Sequence, residues 1–260
     1  MIRKSLAVFR FELKQSFGLG MTVSWLLIIL FPAALQQLIN SRAMESIDIE
    51  IAGLLVAILI PGVVCLLSGL MSMSSFLHAE LEGNTWPYVA TRPQGRVAMM
   101  WGKYMVSVTR SIMAGFLALM LMLPLTSHTL EQDFGLLVLS SAALVVLSSI
   151  SYSSLFCLLG TVMHKRPMIM AVIYTILIEG VVSILPAVIN KLTIHYYLRS
   201  MFIRWMEWDI FRLPILSDPN IFSIDGSLMD MVYLLGINGF CLVASMVLLC
   251  NREYQVGEVI

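Results

Sequence analysis

Six stretches of this chain run for the width of a bilayer with almost no charge. They cover residues 21–39, 51–77, 111–130, 134–163, 168–190 and 231–251, and only Glu179 interrupts one of them. A bilayer core needs about 20 apolar residues per helix, and these runs meet that length. They are continuously apolar rather than alternating with period two, so helices are expected in preference to a barrel. Composition agrees: 59% of residues are hydrophobic and 12% charged, against roughly 25% charged in a soluble domain. The expectation is an all-α integral membrane protein, a single domain over residues 1–260 with six transmembrane helices. The third span is expected to begin earlier, near Met105, with Arg110 snorkelling toward a headgroup.

The cations set an orientation. Arg3, Lys4, Arg10, Lys14, Arg92, Arg96, Lys103, Arg110, Lys165, Arg166 and Arg252 fall on one side of such a layout; Arg42, Lys191, Arg199, Arg204 and Arg212 fall on the other. The positive-inside rule puts the larger set in the cytoplasm, with both termini. A plasma (inner) membrane location, multi-pass, follows. Charges spread through the first turns also set the N-terminus apart from a cleaved signal peptide. Residues 1–20 read as an interfacial amphipathic helix, because Leu6, Phe9, Leu13 and Phe17 recur at three and four residues while the basic residues reach headgroups. Residues 191–230 form a long external loop rich in aromatics, including Tyr196, Tyr197, Phe202, Trp205, Trp208, Phe211 and Phe222. One or two short amphipathic helices are expected there, on or in the outer leaflet.

Signatures of catalysis are missing. The stretch around Gly95 and Gly102-Lys103 lacks the spacing of a phosphate-binding loop, and Tyr104 stands where that loop needs a hydroxyl for magnesium. No H-E-x-x-H or G-x-S-x-G occurs. His78, His128, His164 and His195 are scattered without metal-ligand spacing, and Cys65, Cys157, Cys241 and Cys250 lie in spans as small apolar residues. No catalytic or metal-binding residue is expected. Glu179, near the middle of the fifth span, has two readings: a pathway or proton relay, or a carboxyl that joins two helices, with Thr175 and Ser183 one turn away. In the fourth span Ser140, Ser141, Ser148, Ser149, Ser151, Ser153 and Ser154 point to close helix packing, with a conduit as the other reading.

Between the second and third runs lies ELEGNTWPYVATRPQGRVAMMWGKY, residues 80–104, the most polar interruption of the apolar chain. Pro87 suits the first turn of a short helix and Pro93 ends it. A helix over 85–91 presents Trp86, Tyr88 and Val89 outward, and aromatics and Arg are the residues that anchor interfaces. Glu80, Glu82, Thr85, Thr91-Arg92-Pro93, Arg96 and Gly102-Lys103 together resemble the first cytoplasmic loop of ABC transporter permeases of the type-2 exporter class. In that family a Gly commonly precedes the Thr; here Asn84 does, with Gly83 one earlier.

The resemblance implies a non-catalytic permease subunit of an ATP-driven exporter, with residues 78–104 as a cytoplasmic loop carrying a short coupling helix. Its partners would be two ABC ATPase subunits per complex and a second permease copy or homologue in the bilayer, with no nucleic acid. The chain itself would bind no cofactor, ATP and magnesium belonging to the partner. Glu80, Glu82, Thr85, Trp86, Arg92 and Arg96, with Lys165 and Arg166 of the next cytoplasmic loop, would contact the ATPase. A proton-coupled secondary transporter centred on Glu179 and a membrane-embedded enzyme using Glu80, Glu82 and a histidine are the alternatives.

Overall fold

The computed structural model describes residues 2–16, 18–42, 49–126, 134–182, 190–191, 193–206 and 226–254. Phe17, His128, Ser183, Trp208, Phe211, Arg212 and Phe222 lie outside them, so the readings that involve these residues do too. Every regular element among the described residues is helical: α1 (Ile2–Gln15), α2 (Leu19–Arg42), α3 (Ile49–Leu59), a π-helical turn (Ile60–Val64), α4 (Cys65–Met73), α5 (Phe76–Glu82), α6 (Trp86–Ala90), α7 (Gly95–Thr126), α8 (Phe134–Val162), α9 (Pro167–Tyr174), a second π-helical segment (Thr175–Val181), α10 (Ile194–Trp205) and α11 (Ser227–Asn251).

Among the described residues five helical stretches are long and apolar enough to cross a membrane: Gly20–Ser41, Leu55–Glu82, Gly95–Leu125, Phe134–Val162 and Ser227–Asn251. Their outer surfaces carry large exposed apolar side chains such as Leu27, Leu139, Phe240 and Val243, each more than 60% exposed. Water would penalise such faces, and lipid would not. Within the described part of the fifth apolar run lies a shorter apolar helix, Pro167–Val181.

At the centre stands α8. It packs on α4, α7, α10 and α11, and Ser140, Ser141, Ser148, Ser149, Ser151, Ser153 and Ser154 are all buried. The serines let neighbouring backbones approach and join them by hydrogen bonds, the forces that hold helices together where no hydrophobic drive exists. Ser153 shares a 3.0 Å bond with Ser107 of α7, and Ser107 a 2.8 Å bond with Ser72 of α4. On the other flank Asn238 of α11 donates to Ser151 at 3.0 Å and accepts from Ser154 at 3.2 Å. These hydroxyls thus join α8 to α4, α7 and α11.

Three boundaries differ from expectation. The third span does not begin near Met105 or Ser111: α7 is continuous from Gly95, so Arg96, Lys103 and Arg110 ride on it. The charges do not break the helix because acceptors from neighbouring elements meet Arg96 and Lys103. The second span does not stop at Leu77, since the helical path turns at Ser74–Ser75 and resumes as α5. Finally, α10 is not an interfacial helix with a wetted face. Tyr196, Tyr197, Phe202 and Ile203 are buried, against α8 and α11. Aromatic content is the same at an interface and in a core, so composition alone did not separate the two.

Candidate docking site at the end of the bundle

The residues of the 80–104 stretch build a braced protrusion. Glu80 ends its carboxylate on Lys103 of α7, with Oε1 accepting from Nζ at 2.6 Å. Lys103 also donates to the carbonyl of Phe76 at 3.2 Å and faces Glu12 of α1 at 3.4 Å. The Thr85 hydroxyl donates to the Glu80 carboxylate, and its backbone N–H donates to the Glu80 carbonyl at 3.0 Å. Glu80 is thus an internal strut joining α5, α6, α7 and α1. A lysine held by two carboxylates is a desolvated network whose parts depend on one another.

The turn before α6 needs a residue that tolerates the left-handed region. Asn84 supplies it with φ 53°, and Asn is among the few residues that adopt this conformation at little cost. Thr85 then precedes α6, Pro87 sits in its first turn, and Thr91 closes it through its N–H to the Pro87 carbonyl at 3.1 Å. The chain reverses through Pro93 and Gln94, the latter at φ 62°. A Cβ on Gly95 would lie 2.2 Å from the Val89 carbonyl oxygen, so only glycine permits this close return. Lys4 of α1 ties off the turn by donating to the Pro93 carbonyl at 3.1 Å. Beneath it, a Cβ on Gly102 would meet Val8 at 2.6 Å, which is why α1 can lie directly along α7.

On α6 the two aromatics point opposite ways. Tyr88 is 73% exposed and Trp86 is 3% exposed. The expectation that Trp86 faces outward is therefore corrected: five residues make one turn and a half, and the indole takes the side that removes most apolar area from water. Its ring meets Tyr254 edge to face at 5.3 Å, and the Arg96 guanidinium lies 5.4 Å above it. Arg96 donates in turn to the carbonyls of Leu249 at 3.2 Å and Cys250 at 2.9 Å. These are the C-terminal carbonyls of α11, which have no partner within their own helix.

Tyr254 extends the cluster. It packs on His164 at 5.2 Å, and its hydroxyl donates to the Thr161 carbonyl at 3.4 Å. Arg252 donates to the Val162 carbonyl at 3.3 Å, and His78 bonds the His164 carbonyl at 3.1 Å. His78 and His164 are thus neighbours rather than scattered. The 163–166 loop, with exposed Lys165 and Arg166, sits beside the tail and lines a cavity of about 410 Å³ with Arg252.

Of the expected contact residues, Glu82, Thr85, Arg92, Lys165 and Arg166 are exposed, whereas Glu80, Trp86 and Arg96 turn inward. An open groove of about 620 Å³ runs between α1 and the protrusion, lined in part by Phe11, Tyr88, Val89 and Arg92. Tyr254 was absent from the sequence expectation. Its only local sign is an aromatic in a polar tail, and its role appears only when four segments converge.

Glu179 lies apart from this site. Its Oε1 accepts from the Ile194 N–H and its Oε2 from the His195 N–H, both at 3.1 Å. The carboxylate occupies the N-terminal end of α10, where amides lack partners and the helix dipole favours negative charge. Thr193 completes the cap by accepting from the Tyr196 N–H at 3.3 Å. Thr175 does not assist Glu179; its hydroxyl donates to the Ala171 carbonyl at 2.8 Å. Among the described residues no three His, Cys, Asp or Glu side chains are grouped to hold a metal ion. No protein-family model matches this sequence, and no curated protein matches it.

Proposed function

We propose that the chain is the membrane-spanning permease subunit of an ATP-driven exporter of the type-2 ABC class, and that α6 receives motion from an ATPase subunit. The carrying observation is a short, proline-bounded helix that is exposed on one side and bolted to the bundle on the other. Tyr88, with Glu82, Thr85 and Arg92, offers a polar and aromatic surface free to bind. On the inner side Trp86, Arg96 and Tyr254 connect that helix to the ends of α7, α8 and α11. A push on Tyr88 would reach three spans without passing through a flexible loop. That is what an energy-coupling element requires, and a solvated loop would lack it.

In this reading the chain crosses the membrane six times with both termini cytoplasmic. The 163–166 loop meets the tail that follows α11, whereas α11 begins at the opposite end of the bundle. These contacts support a further crossing between residues 167 and 226, and among the described residues Pro167–Val181 is a short apolar helix that could contribute to it. Two ATPase subunits, holding ATP and magnesium, and a second permease copy would complete the assembly. Two observations favour this reading over its rivals: each Glu179 oxygen accepts from an amide at the start of α10, and Glu80 pairs with Lys103, which gives both acids structural partners.

The direct test is capture of the tagged full chain from its native membrane, followed by an ATPase assay. An ATPase with a phosphate-binding loop should copurify, and Tyr88→Cys should form a cross-link with it. Recovery of the intact chain with no such ATPase, together with transport that persists without ATP, would defeat the proposal.

A further inference from the structure

A further pocket, of about 290 Å³, opens where the end of α1 meets the start of α2 and the sides of α4, α5 and α7. Arg110 of α7 lines it. The guanidinium is half-buried, and the one contact described for it is with the Met21 sulfur at 3.2 Å. A thioether is a weak acceptor, and a guanidinium has five donors to satisfy. The acid in the lining, Glu12, is directed at Lys103, and no ion pair among the described residues involves Arg110.

Placement adds to the argument. Arg110 lies seven residues beyond Lys103, about 10 Å farther along the helix. That carries it from the polar protrusion toward the boundary between headgroups and acyl chains, beside the start of a membrane-length helix. Other polar side chains share the lining: Gln15 from the end of α1 and Ser75 from the turn between α4 and α5, with the Ser16 and Ser72 hydroxyls beside them turned to the carbonyls of Leu13 and Ser68. The lining as a whole holds two cations and one acid. Arginine prefers planar, bidentate contact with phosphate, and a long side chain near a helix end reaches for it.

We propose that this pocket binds a phosphate group, that of an anionic phospholipid in the leaflet on the α1 side, with Arg110 as the fork and Gln15 and Ser75 as supporting groups. The lipid would then tie the α1–α2 elbow to α4 and α7. This assignment rests on the membrane-length helices and not on the exporter reading.

The experiment uses the full chain in detergent, stripped of lipid, with native mass spectrometry and thermal unfolding as readouts. The probes are phosphatidylglycerol, phosphate-free digalactosyl diacylglycerol and inorganic phosphate. Phosphatidylglycerol should bind in preference to the glycolipid, and Arg110→Gln should weaken it about tenfold, the scale of a lost hydrogen bond to a charged group. Arg110→Lys should retain part of the affinity, and Gln15→Leu with Ser75→Ala should reduce it. Inorganic phosphate that displaces the lipid, and stabilises the protein only when Arg110 is present, would support the phosphate site and assign it a soluble source. Equal binding of the two lipids, or unchanged phosphatidylglycerol affinity in Arg110→Gln, would overturn the proposal. Should Arg110→Gln fail to fold, unchanged affinity in the Gln15→Leu, Ser75→Ala variant would do the same.

Discussion

Trp86 and Tyr88 are two residues apart, and their substitutions should have opposite consequences. Trp86 fills the space between Tyr254 and Arg96, so Trp86→Ala should destabilise the chain by about 3–5 kcal/mol, the usual cost of emptying a buried aromatic site. The check is thermal unfolding of the purified protein. Tyr88→Ala removes an exposed ring and should leave the unfolding temperature unchanged while weakening capture of the proposed ATPase partner. A Tyr88→Ala protein that binds and transports normally would remove α6 as the docking element. Glu179→Gln is the third informative substitution. The carboxylate accepts from two backbone amides, and a carboxamide has one oxygen for them and turns an NH₂ group toward the other. The unmatched amide should cost about 1–3 kcal/mol, read as a lower unfolding temperature and faster proteolysis beside α10. A silent Glu179→Gln would show that the cap is dispensable.

Between elements, the connection from α6 to the tail is the most consequential feature and was the least legible in the sequence. The α6 helix itself was readable, because Pro87 and Pro93 fix its two ends through local steric rules. Its facing was not, since a five-residue helix has too little period to separate an inward Trp86 from an outward one. The serines of α8 were readable as packing groups because small residues along a membrane helix have one dominant use. The continuity of α7 was hidden for a physical reason: Arg96 and Lys103 look like loop residues until the carbonyls of α11 and the carboxylate of Glu80 are placed beside them. The Glu179 contact with α10 was equally hidden, because its partners are backbone amides that no sequence pattern marks. Tyr254→Ala tests the connection. It removes one edge-to-face partner of Trp86, worth about 0.5–1.5 kcal/mol beyond its buried area, along with a contact to His164. Protease cleavage within residues 83–95 should become faster in this variant while the core spans keep their resistance. Cleavage rates equal to those of the unaltered chain would mean that the tail does not brace α6.

For the molecule as a whole, the decisive quantity is the side of the membrane on which each end of the bundle lies. The described contacts place α1, the 83–95 turn, the 163–166 loop and the residues after α11 at one end, through Lys4 to Pro93, His78 to His164 and Tyr254 to Trp86. Gly226 stands at the start of α11, one helix length away, about 37 Å for 25 residues at the usual rise. Single cysteines at Tyr88, Arg166, Glu253 and Gly226 in a background lacking Cys65, Cys157, Cys241 and Cys250 would report the arrangement. In intact cells an impermeant maleimide should label Gly226→Cys and spare the other three; in inverted vesicles the pattern should reverse. Because each segment at the α1 end is fastened to another, the three protected positions should switch together. Labelling of Tyr88→Cys from outside would reverse the orientation and put the docking surface beyond the reach of a cytoplasmic ATPase. Labelling of Arg166→Cys and Gly226→Cys on the same side would require an even number of crossings between them and would overturn the six-span arrangement.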